Sequence, residues 1–118
     1  MSESNNIYGN IYVSHHAIAT IACQSALESY GVVGLTAKNL AAGLAQVLVK
    51  DPTLGVEVHF DGRTIRIDLY IVVEYGTRIT SVSRSVADSV AYQVEKTLGI
   101  PVSHVDVHVR GLRISNPD

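Results

Sequence analysis

Tryptophan is absent from this 118-residue sequence, and cysteine, methionine and phenylalanine occur once each. The lone Cys23 cannot close a disulfide within the chain. With no histidine at ligand spacing beside it, it reads as a small core residue rather than a metal ligand. Long apolar runs are also missing. Stretches such as Tyr70-Ile71-Val72-Val73 fall far short of the roughly 18 residues that would suggest a membrane span. The polar start, Met1 to Asn6, has neither the basic nor the apolar region of a secretory signal, which leads to an expected cytoplasmic location. Positive charge is scarce as well: the formal net charge is −2. Non-specific nucleic-acid affinity comes largely from Lys and Arg neutralising phosphates, so the balance argues against a strong phosphate-binding surface.

What is present is enough apolar material, 47% of residues, to bury one core. The reading is a polar leader over 1–8, a single α+β domain over 9–114 and a short tail over 115–118. Ile11-Tyr12-Val13 predicts a short strand, and Ser14 is placed to cap a helix running from about His15 to Tyr30. Ile18, Ile21, Ala22, Ala26 and Leu27 form its apolar stripe. Gly31-Val32-Val33-Gly34 then reads as a turn. From Thr36, the spacing of Leu40, Ala41, Leu44, Val47 and Leu48 predicts a second helix, ended by Asp51-Pro52.

Val56, Val58 and Phe60 alternate with Glu57, His59 and Asp61, and Asp61-Gly62 signals a hairpin. The return strand runs from about Thr64 to Tyr75. It places Ile65, Ile67, Leu69, Ile71 and Val73 on one face and Arg66, Asp68, Tyr70 and Glu74 on the other. A third helix is predicted over Ile79 to Leu98, with Val82, Val86, Val90 and Val94 in one stripe; here the period overrules the β-propensity of valine. Gly99 and Pro101 end it. Val105, Val107 and Val109 form a last strand, with His104, Asp106, His108 and Arg110 opposite. The order β-α-α-β-β-α-β gives a two-layer α+β fold: one mixed or antiparallel sheet with helices packed on one face. The alternation predicts that the other face is bare.

Few groupings could carry chemistry. His104, Asp106 and His108 share a strand face, and His59 or Asp68 could join them from neighbouring strands. Residues two apart on a strand stand about 6.6 Å apart, however, which is too far for two ligands of one ion. No metal and no cofactor are therefore expected. Ser14 with His15 or His16 lacks both a glycine-rich elbow and an orienting acid, so a nucleophilic site is not supported. A G-x-x-G turn between two helices is how KH domains clamp a nucleic-acid backbone. Here the two middle residues are valines and the nearby cation is Lys38, so a helix-capping turn is the simpler reading.

The order and spacing of several elements resemble the alkaline-shock-protein family, the envelope stress response proteins of Gram-positive bacteria, and in particular its short YloU-like members. The elements are Ile11 to Ser14, Gly31 to Gly34, Ile67 to Val73 leading to Tyr75-Gly76, the spaced Ile79, Val82, Val86, Val90 and Val94, Thr97-Leu98-Gly99, and Val105, Val107, Val109 and Gly111. The resemblance implies a non-catalytic protein that assembles with itself or related chains. It also implies a place at the inner face of the membrane through a membrane-anchored partner, and a contribution to envelope homeostasis. It supplies no catalytic residue. The candidate interaction residues are Val32 and Val33, together with the Tyr75-Gly76 corner, because two adjacent valines between glycines cannot both point into a core. An RNA-associated role through the helix, G-x-x-G, helix element is the alternative.

Overall fold

The protein is described by a computed structural model covering residues 14–37 and 52–114. The expected strand at Ile11 to Val13 and the helix expected across Leu40 to Lys50 lie outside the described residues. Along the chain run α1 (His15–Leu27), β1 (Val32–Leu35), a short 3-10 turn (Pro52–Gly55), β2 (Val56–Phe60), β3 (Ile65–Glu74), α2 (Ile79–Leu98) and β4 (Val102–Arg113).

Helix α1 starts where the sequence places it. Ser14 is extended (φ −76, ψ 150), and its hydroxyl accepts the Ala17 backbone N–H at 3.0 Å. This satisfies one of the donors a helix start leaves open. The helix buries Ile18, Ala19, Ala22, Cys23 and Ala26, mostly small residues that let its axis approach its neighbours closely. It ends at Leu27, earlier than the expected Tyr30, and the chain turns through Gly31, whose φ is +88°. A side chain at Gly31 would meet Val82 of α2: an added Cβ would stand 2.8 Å from Val82 Cγ2. Both the backbone angle and the space require glycine here.

The segment after Gly31 is a strand, not the expected turn. Val32 pairs with Val73, Gly34 with Val72 and Leu35 with Ile71, all antiparallel, with an irregularity between Val32 and Gly34. Pairing with a distant hydrophobic strand satisfies backbone groups that a local turn would leave to solvent. Glycines flanking two β-branched residues therefore mark the limits of a short strand here.

Strand β3 is the hub of the sheet. Strand β4 runs parallel beside it from the Ile65↔Val102 pair to Glu74↔Arg113. Strand β2 pairs antiparallel, Val56↔Leu69 to Phe60↔Ile65. A strand has two edges, so β1 and β2 share the edge that β4 leaves. The sheet is thus mixed, as the two-layer reading allowed. The hairpin between β2 and β3 has its loop at Asp61 to Thr64. Asp61 Oδ1 accepts the backbone N–H groups of Arg63 (2.8 Å) and Thr64 (2.9 Å), and these bonds, that of Thr64 first, hold its carboxyl below the usual value.

Both helices cover one face. Ile65, Ile67, Leu69, Ile71 and Val73 are fully buried, as are Val86, Val90 and Val94 of α2, which meet them together with Ile18, Ala22 and Ala26. Each such valine, leucine or isoleucine contributes about 1.5–3 kcal/mol by leaving water. Helix α2 follows its predicted range, and Gly99, left-handed at φ 72°, closes it with its N–H bonded to the Glu95 carbonyl.

The opposite face departs from the expectation of a bare surface. Asp68 (6% exposed) and Tyr70 (5%) are buried along its centre, and Val72 fully so. Side chains from the flanking strands overlay Asp68 and Tyr70, because cross-strand neighbours stand close enough for long polar groups to reach over a central strand.

Candidate interaction end and polar sheet face

Three separate segments meet at the C-terminal end of β3. The Glu74 N–H bonds the Gly31 carbonyl at 2.8 Å, and the Tyr75 N–H bonds the Arg113 carbonyl at 2.9 Å. The Thr77 hydroxyl turns back onto the Glu74 carbonyl at 2.7 Å, shaping the corner at Gly76, which has φ +95°. This clasp holds the loop after α1, the corner after β3 and the end of β4 in one place. Large apolar side chains stand exposed on it: Tyr30 (82%), Tyr75 (66%), Leu112 and Ile114 (70%).

The sequence-derived candidates fall unevenly on this end. Tyr75 and Gly76 are exposed, and an added Cβ at Gly76 would meet nothing within 4 Å. Val32 is half-buried, pairs with Val73 and packs against the core, so it serves mainly as a strand residue. Val33 is half-buried at the irregularity. Tyr30, Leu112 and Ile114 were not singled out from the sequence. Tyr30 looked like the end of a helix, and the other two lie beyond the range over which the last strand alternates. Among the described residues, Val32 to Gly34 lie within strand β1 rather than in a turn, so the G-x-x-G segment does not form the turn of a helix, G-x-x-G, helix element.

The polar face gathers a connected set of charged, imidazole and phenol groups. Asp68 sits at its centre, opposite Glu57 of β2 and Asp106 of β4. His108 Nε2 lies 3.1 Å from Asp68 Oδ1, and His59 Nε2 lies 3.4 Å from Asp68 Oδ2. The His108 ring stacks on Tyr70 at 4.7 Å and 12°, and the Arg110 guanidinium lies 5.2 Å from the centre of the Tyr70 ring. The Tyr70 hydroxyl reaches Glu57 Oε1 at 3.4 Å, and Arg66 lies between Asp68 (3.7 Å) and Asp106 (3.9 Å). His104 is exposed in register with Arg66, so the three-residue row His104, Asp106, His108 does not converge on one point.

A third feature is an open groove along the outer side of α2, lined by Arg78, Ser81, Arg84, Ser85, Asp88 and Tyr92 among others. His15 and His16 are exposed at the start of α1, where Ser14 is engaged as the cap. Among the described residues, no helix is long and apolar enough to cross a membrane.

Comparison with known proteins adds a family. The model of the alkaline shock protein 23 family, described by a cell envelope-related function, matches residues 3–114. YloU of Bacillus subtilis (strain 168) is 41% identical over 117 residues, covering 98% of each chain. Spy1614 of Streptococcus pyogenes serotype M6 is 32% identical over 108 residues, covering 90% of this chain and 89% of that one. Among solved structures, a MamM variant superposes with a TM-score of 0.52 at 15% identity, over 90% of this chain and 95% of the other. A zinc form of a MamM CTD variant gives 0.52 at 13%, over 86% and 89%. At such identity the likeness is one of fold alone. No catalytic family is indicated by these matches.

Proposed function

Since this chain belongs to the alkaline shock protein 23 family, whose function is cell envelope-related, we propose that it is a non-enzymatic protein-binding and assembly module in envelope homeostasis. It associates with itself or with related chains, and a membrane-anchored partner holds it at the inner face of the membrane. The observation that carries this reading is the clasped end of the sheet, where Tyr30, Tyr75, Leu112 and Ile114 are displayed from three segments. Single exposed apolar residues are ordinary, but a group of them on a hydrogen-bonded frame is the usual mark of a contact surface. Aromatic residues such as the two tyrosines bring large contact area with few rotatable bonds.

The test is the double substitution Tyr75→Ser with Ile114→Ser. Both side chains are mostly in water, so the melting temperature should stay within a few degrees of the parent. Self-association in sedimentation velocity, and co-purification with related chains and membrane-anchored partners from the host, should be lost. Association that persists at parental strength in the folded variant removes this end of the sheet from the proposal. A parent that neither self-associates nor retains such partners removes the assembly role itself.

A further inference from the structure

Beyond the assembly role, we propose that Glu57, His59 and Asp68 form a binding site for a divalent transition-metal ion, with Asp68 held in position by His108. Sequence spacing argued against a metal because residues two apart on one strand are about 6.6 Å apart. The side chains meet that objection: Glu57 and His59 are two apart on β2, yet their ligand atoms stand 3.9 Å apart, and the third ligand comes from the neighbouring strand. Asp68 of β3 stands directly across from Glu57 of β2, and His59 lies on the diagonal, two pairs along, opposite Arg66. One ligand atom from each of the three residues lies within 4.8 Å of the others. His59 Nε2 is 3.4 Å from Asp68 Oδ2 and 3.9 Å from Glu57 Oε1.

Ligands at about 2.0–2.2 Å around a tetrahedral ion stand roughly 3.3–3.6 Å from one another. The edge from His59 to Asp68 is therefore already at coordination length. The remaining edges close by rotation of Glu57 and His59, whose side chains are 37% and 46% exposed. Asp68 is the fixed member, with its side chain only 8% exposed. Its two oxygens are divided between neighbours: Oδ1 is engaged by His108 of β4, and Oδ2 is turned towards His59 of β2. His108 is itself stacked on Tyr70, whose hydroxyl reaches Glu57. Metal sites use such outer contacts to aim their ligands.

The donor set of one imidazole and two carboxylates suits Zn²⁺, Co²⁺ or Mn²⁺ better than Ca²⁺, which takes six to eight oxygens. A carboxylate mostly removed from water also favours a cation beside it. Arg66 now supplies one, with Nη2 at 3.7 Å from Oδ2, but its side chain is 53% exposed and can leave. It is a competitor for the same oxygen.

The experiment is calorimetric titration of tag-free protein with Zn²⁺, supported by the visible spectrum of the Co²⁺ form. The parent should take up one equivalent. His59→Gln and Asp68→Asn should abolish uptake, and His108→Gln should weaken it by about 10–100-fold in metal-free protein whose circular dichroism shows it folded. Arg66→Ala should tighten binding severalfold, while His104→Ala and the pair His15→Ala with His16→Ala should leave it unchanged. His59 is half-exposed, so its variant folds even where Asp68→Asn does not. The proposal is overturned if the parent takes up no Zn²⁺ or Co²⁺. It is equally overturned if uptake survives His59→Gln, or if it disappears with His15 and His16.

Discussion

Replacing Gly31 with alanine tests the packing of the loop after α1 against α2 in a form that separates two costs. The first is backbone strain: φ at Gly31 is +88°, and holding a residue with a Cβ in a left-handed conformation costs about 1–2 kcal/mol. The second is overpacking. The new Cβ would stand 2.8 Å from Val82 Cγ2 and 3.5 Å from Val82 Cγ1, and forced contacts of this kind cost about 1–3 kcal/mol. Gly31→Ala should therefore lose roughly 2–5 kcal/mol. Val82 is 4% exposed, and Val82→Ala alone should lose about 2–3 kcal/mol through two missing methyl groups and the space they leave. In the double variant both γ-carbons are gone, so the overpacking disappears and only strain and cavity remain. Its loss should fall short of the sum of the single losses by roughly 1–3 kcal/mol. Urea unfolding of the four proteins measures this directly. Melting temperatures follow at about 3–6 °C per kcal/mol for a domain of this size. Strict additivity, or a Gly31→Ala protein as stable as the parent, would refute the close approach.

Val86→Asp and Val90→Asp should each unfold the protein or cost more than about 4 kcal/mol, since both positions are fully buried beneath the sheet. Arg84→Ala, on the exposed side of α2, should melt like the parent, and aspartate variants that do so too would mean the wrong face of α2 has been assigned. The Asp61 carboxyl predicts an acid dependence. Its folded pKa lies below the ordinary value of 3.8, so its contribution is present above 3.8 and is lost as pH falls through the lower folded value. Asp61→Asn keeps the acceptor for Arg63 and Thr64 but cannot titrate, so unfolding free energy should fall less steeply below pH 3.8 than in the parent. Equal slopes would contradict the assignment.

The elements legible in the sequence were those whose burial is periodic over several turns or pairs. Strands β2 and β3 and helix α2 follow the alternation of Val56 to Phe60, the odd residues Ile65 to Val73, and the valine stripe, because one buried face imposes its period on the residues. The Gly31 to Gly34 segment was misread since its strand character comes from Val73 and Ile71, some forty residues further along the chain. Strand β4 was read too short for a similar reason: its ends are held by Ile65 and Glu74 rather than by its own alternation. Tyr75 and Gly76 were found at an exposed corner, but the company of Tyr30 and Ile114 depends on which segments the sheet brings together. The polar cluster on Asp68 was hidden in the same way. Alternation tells which residues share a face, and only the strand pairing tells which of them touch.

That limit has a counterpart within the folded protein. The valines of β4 keep it from sliding one residue along β3, because a single step would turn His104, Asp106 and His108 under the helices and Val105, Val107 and Val109 out to water. They give no protection against a slide of two residues, which restores every side chain to its proper face. Among the contacts that distinguish the native alignment from that near copy are the Tyr75 N–H on the Arg113 carbonyl and the ring of His108 lying on Tyr70 with its Nε2 against Asp68. The polar face thus serves as part of a vernier: hydrophobic alternation sets the phase of β4, and His108 is one of the contacts that count the step.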